Sequence, residues 1–399
     1  MWDSEAQPDL EAFRADARAW LEANFPPALS GQGSAALMMK ERPAEGSDLA
    51  LWMSRMADKG WGAPTWPSPY GGGGLTPPQA RVLQDEMMRL GAFNPMVSGM
   101  GIPMVGPTIL EYGTEDQKRR HIPPIARGEL RWSLGYSEPN AGSDLAALQT
   151  KCEDAGDHWL INGQKTWTSG AQWSDWCGCL VRTDPAAPKH KGISFIMIDM
   201  HQPQIEVRPI KLIGGASPFC ETFFTDARAR KDDLLGPLND GWTVGKRLLQ
   251  HERAGQTGSS PALPPPTPLA EIAKRYVGLD ADNRLADSDL RSRLTEHLMQ
   301  AKAHALTLSR AAAEARGGAS NAASVLKNSA TTVAQTRAEL IVEIMGNQGL
   351  GWEGEAFAPA ELEAVRDWLA GKAMSIYGGS FEVQNNIIAK RILGLPDPT

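Results

Sequence analysis

The residues best suited to chemistry lie in two stretches, Gly135–Asp144 (GYSEPNAGSD) and Ile161–Gly170 (INGQKTWTSG). Small residues in the first stretch let a bulky planar ligand approach the backbone. The second stretch is predicted to be a hairpin that turns at Asn162-Gly163, because both residues tolerate positive φ. Its second strand carries Trp167 and several hydroxyl side chains. An aromatic ring and hydroxyls beside a small-residue loop favour a flat, hydrogen-bonding cofactor.

A candidate general base lies on a predicted helix that covers Thr243–Gly255. Val244 and Leu248 lie four residues apart, and Glu252 continues that row on the apolar side of the helix. A carboxylate among Leu and Val loses hydration, which raises its pKa toward a value suited to a base. The alternatives for Glu252 are a structural ion pair or the edge of a solvated face near the end of a helix. The neighbouring His251 is more readily explained as a core or surface histidine than as a catalytic one.

These motifs, in this order, resemble the signatures of the acyl-CoA dehydrogenase family. The loop is similar to the T/S-E-P-x-A-G-S-D signature, and the second stretch is similar to N-G-Q-K-x-W. A family-type helix at Phe13–Phe25 and the segment Tyr377–Pro396 extend the resemblance over nearly the whole chain. At subfamily level the loop and Tyr377–Pro396 look most like the large subunit of pimeloyl-CoA dehydrogenases. The resemblance implies an α+β fold, with an N-terminal helical domain, a middle antiparallel β domain and a C-terminal four-helix bundle.

The resemblance also implies FAD as the cofactor. The family's flavin contacts fall here on the loop and on the strand that follows it, at Tyr136, Ser137, Gly142, Ser143, Trp167 and Ser169. In the family the tryptophan packs beside the isoalloxazine, and a hydroxyl lies beside flavin N5. Relatives often have threonine where this chain has Ser169. Adenosine-side contacts fall on Glu343, Gly346, Ser380 and Glu382, with Glu343 replacing a glutamine.

The position of the catalytic base departs from the commonest family pattern. Many members carry the base in a C-terminal Y-E-G-T motif, but this chain has Tyr377-Gly378-Gly379-Ser380. Glycine cannot be a base. Other members place the glutamate in an E-R pair on the helix that opens the last domain, and Glu252-Arg253 matches that pair. The resemblance therefore assigns the base to Glu252 and leaves Gly378 a catalytic backbone N–H toward the thioester carbonyl. It assigns substrate contacts to Ser143, Arg253 and Gly379.

A second departure lies between residues 254 and 300. Relatives usually have an R-x-x-F-G segment, whose arginine reaches the FAD pyrophosphate across a subunit interface. The sequence AGQTGSSPALPPPTPLAEIAKRY stands here instead. The change removes a charge-assisted contact. Weaker FAD retention, or a different subunit that supplies the contact, would fit this loss.

Composition narrows the class of partner. The chain has 399 residues, 40 basic against 47 acidic, and a formal net charge of −7, which argues against nucleic acid. It has no apolar stretch of the ~20 residues that a spanning helix needs. The acidic N-terminus lacks a signal-peptide core, so a cytoplasmic location is expected. The four cysteines have no metal-type spacing, and no metal site is predicted.

The periodicity of apolar residues divides the chain into three predicted domains. Residues 1–128 are predicted to be helical, with helices around Pro77–Leu90 and Pro103–Tyr112. Residues 129–238 are predicted to form a β-sandwich or barrel, and residues 239–399 to be helical again. A methionine-rich segment spans residues 87–104 in the first domain. It could line an acyl cavity, but core packing is the commoner use of methionine.

Three functions are compatible with these residues. The first is FAD-dependent α,β-dehydrogenation of an acyl-CoA to the trans-2-enoyl-CoA, with electrons passed to electron-transfer flavoprotein. The second is a flavin oxidase of the same superfamily. The third is a partly degenerate structural subunit of a heteromeric acyl-CoA dehydrogenase. A flavin site completed across an interface implies a homo- or hetero-oligomer, a dimer or a tetramer.

Overall fold

The computed structural model describes residues 9–32, 42–97, 99–258, 267–314 and 320–396, except the side chains of residues 252–258. The described chain divides into two compact units, Met1–Ile210 with Pro218–Pro265, and Lys211–Ser217 with Pro266–Thr399. Along the chain, helices come first, then an eight-stranded sheet, then helices again. This order confirms the predicted α+β class, with a β domain between helical ones.

The first unit begins with a series of helices. They are α1 (Leu10–Asn24), α2 (Asp48–Asp58), α3 (Pro77–Leu90), α4 (Gly106–Tyr112) and α5 (Glu115–Ala126). Asp9 caps α1, and Thr76 and Thr114 open α3 and α5 with capping boxes that satisfy the first amides. The helix predicted over residues 77–90 is confirmed. The one predicted from residue 103 instead starts as a π-helical turn, Gly101–Val105, ahead of α4.

The methionine-rich segment packs mainly into the core. Met87 and Met96 are buried with Trp52 in one cluster, and Met104 is buried in another. Of the five methionines in the segment, Met100 is partly buried against the second cluster, and only Met88 is largely exposed. Each fully buried side chain of this size contributes roughly 1.5–3 kcal/mol of transfer free energy. The methionines therefore serve as core, as the more common interpretation expects.

The sheet follows α5 within the same unit. Its strands are β1 (Trp132–Gly135), β2 (Lys151–Asp154), β3 (His158–Ser169), β4 (Trp176–Arg182), β5 (Ile193–Asp199), β6 (Ile205–Ile210), β7 (Phe219–Arg230) and β8 (Leu234–Leu235). The order is β6-β7-β3-β2-β4-β5-β8, with β1 paired to β4. Most pairs are antiparallel, and β4 has parallel partners in β1 and β2. Cys177 and Cys179 lie fully buried on one face of β4 as free thiols.

The predicted hairpin turn at Asn162-Gly163 is wrong. β3 runs straight through both residues, and Asn162 lies opposite a bulge in β7, where Thr225 and Asp226 face this one residue. The Asn162 side chain binds the backbone N–H and the carboxylate of Asp226 on β7, at 2.8 and 2.9 Å. A Cβ at Gly163 would lie 2.6 Å from the Thr150 hydroxyl oxygen, so this crowded position requires glycine. Long-range pairing with β7 outweighs the local turn preference.

A helix that opens the C-terminal third, α6 (Gly241–Gly258), packs within the first unit. The second unit contains α7 (Leu269–Tyr276), α8 (Ser288–Glu314), α9 (Leu326–Met345), α10 (Pro359–Gly371) and α11 (Phe381–Ile387). Its core gathers Leu269, Leu294, Leu340 and Ile344. Among the described residues, no helix is long and apolar enough to cross a membrane.

A buried carboxylate ties α1 to α3. Glu86 on α3 is only 2% exposed, and its two oxygens accept from Arg14, Arg18 and Arg89 at 2.9–3.1 Å. The hydrogen bond from Arg18 is the largest influence, and with those from Arg89 and Arg14 it outweighs burial and lowers the pKa of Glu86 to about 2. Three cations around one anion make this the main polar contact of the helical layer.

Replacement of Glu86 by glutamine should destabilise the fold in a pH-dependent way. The folded pKa lies below the unfolded one, so the ionic contribution is complete above about pH 4.5 and is lost as the pH falls toward 2. Because solvent reaches the arginines, we expect a loss of about 2 kcal/mol at pH 7. Urea unfolding of Glu86→Gln and the unsubstituted chain at pH 7 and pH 3 measures it. A difference between the two proteins that does not shrink at pH 3 would contradict this account.

Candidate active site

The candidate site forms where β3 leaves its partner strand. Lys165 pairs with Thr222 of β7, and Thr168 pairs with Cys220, so two residues of β3 oppose one residue of β7. This bulge frees the backbone of Thr166, whose N–H donates to the carbonyl of Ser137 at 2.9 Å. The end of β3 is therefore bound to the loop after β1 as well as to the sheet.

Trp167 lies at the bulge in a strained backbone conformation. Its φ is +60°, in the left-handed region that tryptophan seldom adopts. Its indole ring is 54% exposed and meets Phe219 edge-on, with ring centroids 6.1 Å apart. A large aromatic ring held out of the core on strained backbone is typical of a functional position. Ser169, two residues further on, has a half-buried hydroxyl side chain.

The loop beside Trp167 is folded by its own hydrogen bonds. Glu138 and Ala141 exchange backbone bonds of 3.1 and 3.0 Å, which close a tight turn. Beyond the turn, Gly142 and Ser143 are exposed. Asp144 then forms an ion pair with Lys189 at 2.9 Å. The loop and the end of β3, which carry the six residues predicted to contact flavin, are thus joined directly by the bond from Thr166 to Ser137.

A buried ion pair under the loop was missed by sequence reasoning. Lys165 is 0% exposed, and its ammonium donates to Glu138 Oε1 at 2.8 Å and to the Tyr136 carbonyl at 3.2 Å. Burial alone would raise the pKa of Glu138, but the Lys165 charge and hydrogen bonds from Thr150 and Gln149 hold it below its usual range. Lys165 lies in the same alternating row of β3 as the buried Trp159 and Ile161, so the period-two pattern marked its position as inward. A lysine at an inward position of a strand was the signal available in the sequence.

Helix α6 packs against β4 and β5 of the same sheet. Val244 and Leu248 are fully buried, which confirms that the predicted apolar row faces the core. The Tyr136 hydroxyl donates to the carbonyl of Gly245 at 3.4 Å, so the loop and the helix are in direct contact. The side chains of Glu252 and Arg253, one turn further on, lie outside the described residues. Their assigned roles remain predictions.

His251 has a structural contact instead of an evident catalytic one. Its imidazole Nε2 lies 3.3 Å from the Glu111 carboxylate, which also accepts from Arg247 at 2.7 Å. Desolvation, followed by the Arg247 charge, lowers the pKa of His251 despite the nearby carboxylate. Both contacts join α6 to α4. This geometry favours the ordinary structural interpretation of the histidine.

In the second unit, the segment in the place of the Y-E-G-T motif is built on left-handed backbone. Gly378 and Gly379 have φ of +66° and +95°. The Gln384 amide donates to the carbonyl of Gly378 at 3.0 Å, and Ser380 caps α11 by accepting from the N–H of Val383 at 3.4 Å. A glutamate at position 378 would have to adopt the unfavourable conformation. The missing carboxylate thus agrees with the local backbone.

The predicted adenosine-side residues also lie in the second unit. Glu343, near the end of α9, forms a two-pronged ion pair with Arg293 of α8, with both contacts at 2.5 Å. Gly346 ends the helix with φ of +56°. The hydroxyl of Ser380 lowers the pKa of Glu382 by a hydrogen bond. Glu343 therefore has a partner in its own chain, which the glutamine of relatives would bind less strongly.

The described residues contain no cluster of three or more His, Cys, Asp or Glu side chains able to hold a metal ion. The chemistry of the candidate site rests on other groups. Backbone amides, hydroxyls and an exposed indole are the features the structure offers around the loop. They suit an organic ligand that has a planar ring system and polar groups.

Comparison with known proteins shows matches along almost the whole chain. Residues 7–129, 133–227 and 239–393 match the N-terminal, middle and C-terminal domains of acyl-CoA dehydrogenase. The chain is 35% identical to acyl-CoA dehydrogenase IpdE1 of Mycobacterium tuberculosis, over 97% of this chain and 98% of that protein.

Solved structures agree. The ChsE4-ChsE5 complex from Mycobacterium tuberculosis aligns with a TM-score of 0.75 and 29% identity, over 100% of both chains. The Tcur3481-Tcur3483 steroid ACAD aligns with a TM-score of 0.74 and 28% identity, over 98% of this chain and 99% of that one. The chain belongs to the acyl-CoA dehydrogenase family, whose members are flavin-dependent oxidoreductases that act on acyl-CoA thioesters.

Proposed function

We propose that this chain is an FAD-dependent acyl-CoA dehydrogenase that converts an acyl-CoA to the trans-2-enoyl-CoA and passes electrons to electron-transfer flavoprotein. The observation that carries the proposal is Trp167, an exposed indole on strained backbone whose strand end is bonded to the small-residue loop. Family membership supplies the reaction class. The loop and the bulge supply the place where it would occur in this chain.

The residues present fit a flavin. The Trp167 indole offers an apolar face, and the exposed Gly142 and Ser143 let a ring system approach the loop backbone. Ser169 offers a hydroxyl beside them. We assign the isoalloxazine to these residues together with Tyr136 and Ser137, which the family resemblance implies. We assign the adenosine half to Glu343, Gly346, Ser380 and Glu382. When bound, FAD would supply the hydride acceptor.

Glu252 is the proposed base for the α-proton. It continues the row of Val244 and Leu248 on α6, and both of these residues are fully buried. The carboxylate is therefore expected to lie in an apolar environment and to lose hydration. Desolvation raises the pKa of such a group and strengthens it as a base. The backbone N–H of Gly378 is proposed to donate to the thioester carbonyl, which stabilises the negative charge that develops there. Ser143, Arg253 and Gly379 are proposed substrate contacts.

A bulky acyl group and a heteromeric assembly are the finer parts of the proposal. One similar solved structure, Tcur3481-Tcur3483, is a steroid ACAD. Its name and that of the ChsE4-ChsE5 complex each join two proteins. At Gly378, an added Cβ would meet nothing within 4 Å, so the missing side chain leaves space. The absent R-x-x-F-G arginine and the engagement of Glu343 by Arg293 both favour a partner subunit that completes the FAD site.

The degenerate-subunit alternative has its own support in those same two observations. A purified chain that stays colourless with FAD, yet turns yellow with a co-expressed partner, would favour it. The oxidase alternative predicts fast reoxidation by air with release of peroxide. The dehydrogenase proposal predicts that an acyl-CoA bleaches the yellow protein under anaerobic conditions and that air restores the colour slowly.

The substitution Glu252→Gln tests the base. We expect the variant to keep its bound flavin, because glutamine preserves the shape, but to be bleached by substrate about 10²-fold more slowly, the size of a general-base contribution. Stopped-flow absorbance at the flavin band measures the rate. His251→Asn, one residue away on the same helix, is the matched control and should bleach at close to the normal rate. Equal bleaching by Glu252→Gln and the unsubstituted protein would exclude Glu252 as the base.

The substitution Gly142→Ala tests the approach of FAD to the loop. A Cβ at this position meets nothing within 4 Å, so the variant should unfold at the same temperature as the unsubstituted chain. If the flavin lies against this backbone, the methyl group should weaken FAD binding by about tenfold, or about 1.4 kcal/mol. Gly371→Ala, equally open and outside the loop, is the control. Unchanged FAD affinity in Gly142→Ala, measured by titration, would place the cofactor elsewhere.

A further inference from the structure

We propose that the buried ion pair of Lys165 and Glu138 has a positioning role. It holds the loop of residues 136–143 and the bulge at Trp167 in their binding geometry before the cofactor binds. This inference rests on the proposed flavin site. It assigns a role to two side chains that have no place in the chemistry itself. Neither residue is expected to touch the substrate.

The lysine joins the strand to the start of the loop. Lys165 precedes the bulge by one residue, and its ammonium is fully buried. The ammonium donates to the Tyr136 carbonyl at 3.2 Å and to the Glu138 carboxylate at 2.8 Å. Tyr136 and Glu138, which flank Ser137, are thus both held by Lys165, the last paired residue before the bulge.

The glutamate joins the start of the loop to its end. Glu138 Oε2 accepts from the N–H of Gln149 at 2.7 Å, and Oε1 accepts from the N–H of Thr150 at 2.9 Å. These amides lie immediately before β2, eleven and twelve residues along the chain from the glutamate. One carboxylate therefore clamps both ends of the segment that carries Gly142 and Ser143.

A purely stabilising role explains this arrangement poorly. Burial of two charges costs desolvation free energy that their attraction only partly offsets, and apolar pairs of equal volume often stabilise a core better. A directional pair gains its value from fixing geometry. The geometry in question is demanding, because Trp167 keeps a φ of +60° only if its surroundings impose it. The bond from Thr166 to Ser137 and the Lys165 contacts supply that constraint.

The test uses the full chain with both charges removed together, as Lys165→Met with Glu138→Gln. Either change alone leaves an unpaired buried charge and would confuse positioning with unfolding. Glu86→Gln, which removes a buried carboxylate from the α1–α3 contact, is the control for a general loss of stability. Three quantities are measured for each protein: the thermal midpoint, the FAD dissociation constant, and amide hydrogen exchange of peptides covering residues 136–150 without FAD.

We expect the double variant to bind FAD at least about tenfold more weakly, with exchange in residues 136–150 at least about tenfold faster, while its thermal midpoint falls no further than that of Glu86→Gln. The control should keep the FAD affinity and loop exchange of the unsubstituted protein. FAD affinity within about twofold of normal, together with unchanged loop exchange, would overturn the inference.

The remaining outcomes also decide the matter. A double variant that no longer unfolds cooperatively would overturn the inference, because the pair would then be needed by the whole sheet. If the unsubstituted chain binds no FAD, the proposed function fails, but loop exchange in the cofactor-free protein still tests the clamp. Faster exchange confined to residues 136–150 would then support the positioning role on its own.

Discussion

The site depends on the point at which β3 stops pairing with β7. A sheet normally uses every backbone amide of an internal strand, yet here the N–H of Thr166 turns to the carbonyl of Ser137. This hydrogen bond attaches the small-residue loop to the sheet. Together with the Lys165 contacts, it constrains the end of the strand where Trp167 adopts left-handed backbone and exposes its indole.

The molecule buries carboxylates in two different ways. Glu86 joins two helices through arginines that stay partly in contact with water, so the arrangement stabilises the fold at a modest desolvation cost. Glu138 forms an ion pair with a fully buried lysine and also accepts hydrogen bonds from two backbone amides. Its hydrogen-bonding capacity is satisfied, but the loss of any one partner would leave a buried polar group unpaired. The difference matches their positions, one in a helical layer and the other beneath the candidate site.

Much of the architecture was predictable because apolar periodicity and caps act locally. The helix at residues 77–90, the strands and the buried row of Val244 and Leu248 follow from such patterns. The prediction of a turn at Asn162-Gly163 was wrong because pairing with β7, which is distant in sequence, outweighs the local turn preference of these two residues. The burial of Lys165 was not predicted, although it lies in the same alternating row as Trp159 and Ile161, because lysine ordinarily faces solvent and its partner Glu138 is 27 residues away. The family resemblance identified the loop, but not the Lys165–Glu138 ion pair that holds it.

The departures from the family pattern also have a local physical basis. Gly378 stands on backbone that a glutamate would adopt only with strain, and Glu343 has an arginine of its own chain as partner. We therefore propose a base on α6 and phosphate contacts to the cofactor that come in part from a partner subunit. A heteromeric enzyme would accommodate both changes at once.

The most direct test of the central claim is a crystal structure of the full chain loaded with FAD. The account predicts the isoalloxazine in van der Waals contact with the Trp167 indole, at about 4 Å, and bordered by the loop of residues 136–143. It also predicts that Trp167 keeps its positive φ. A flavin bound away from this loop, or a Trp167 that relaxes to extended backbone when FAD binds, would contradict it.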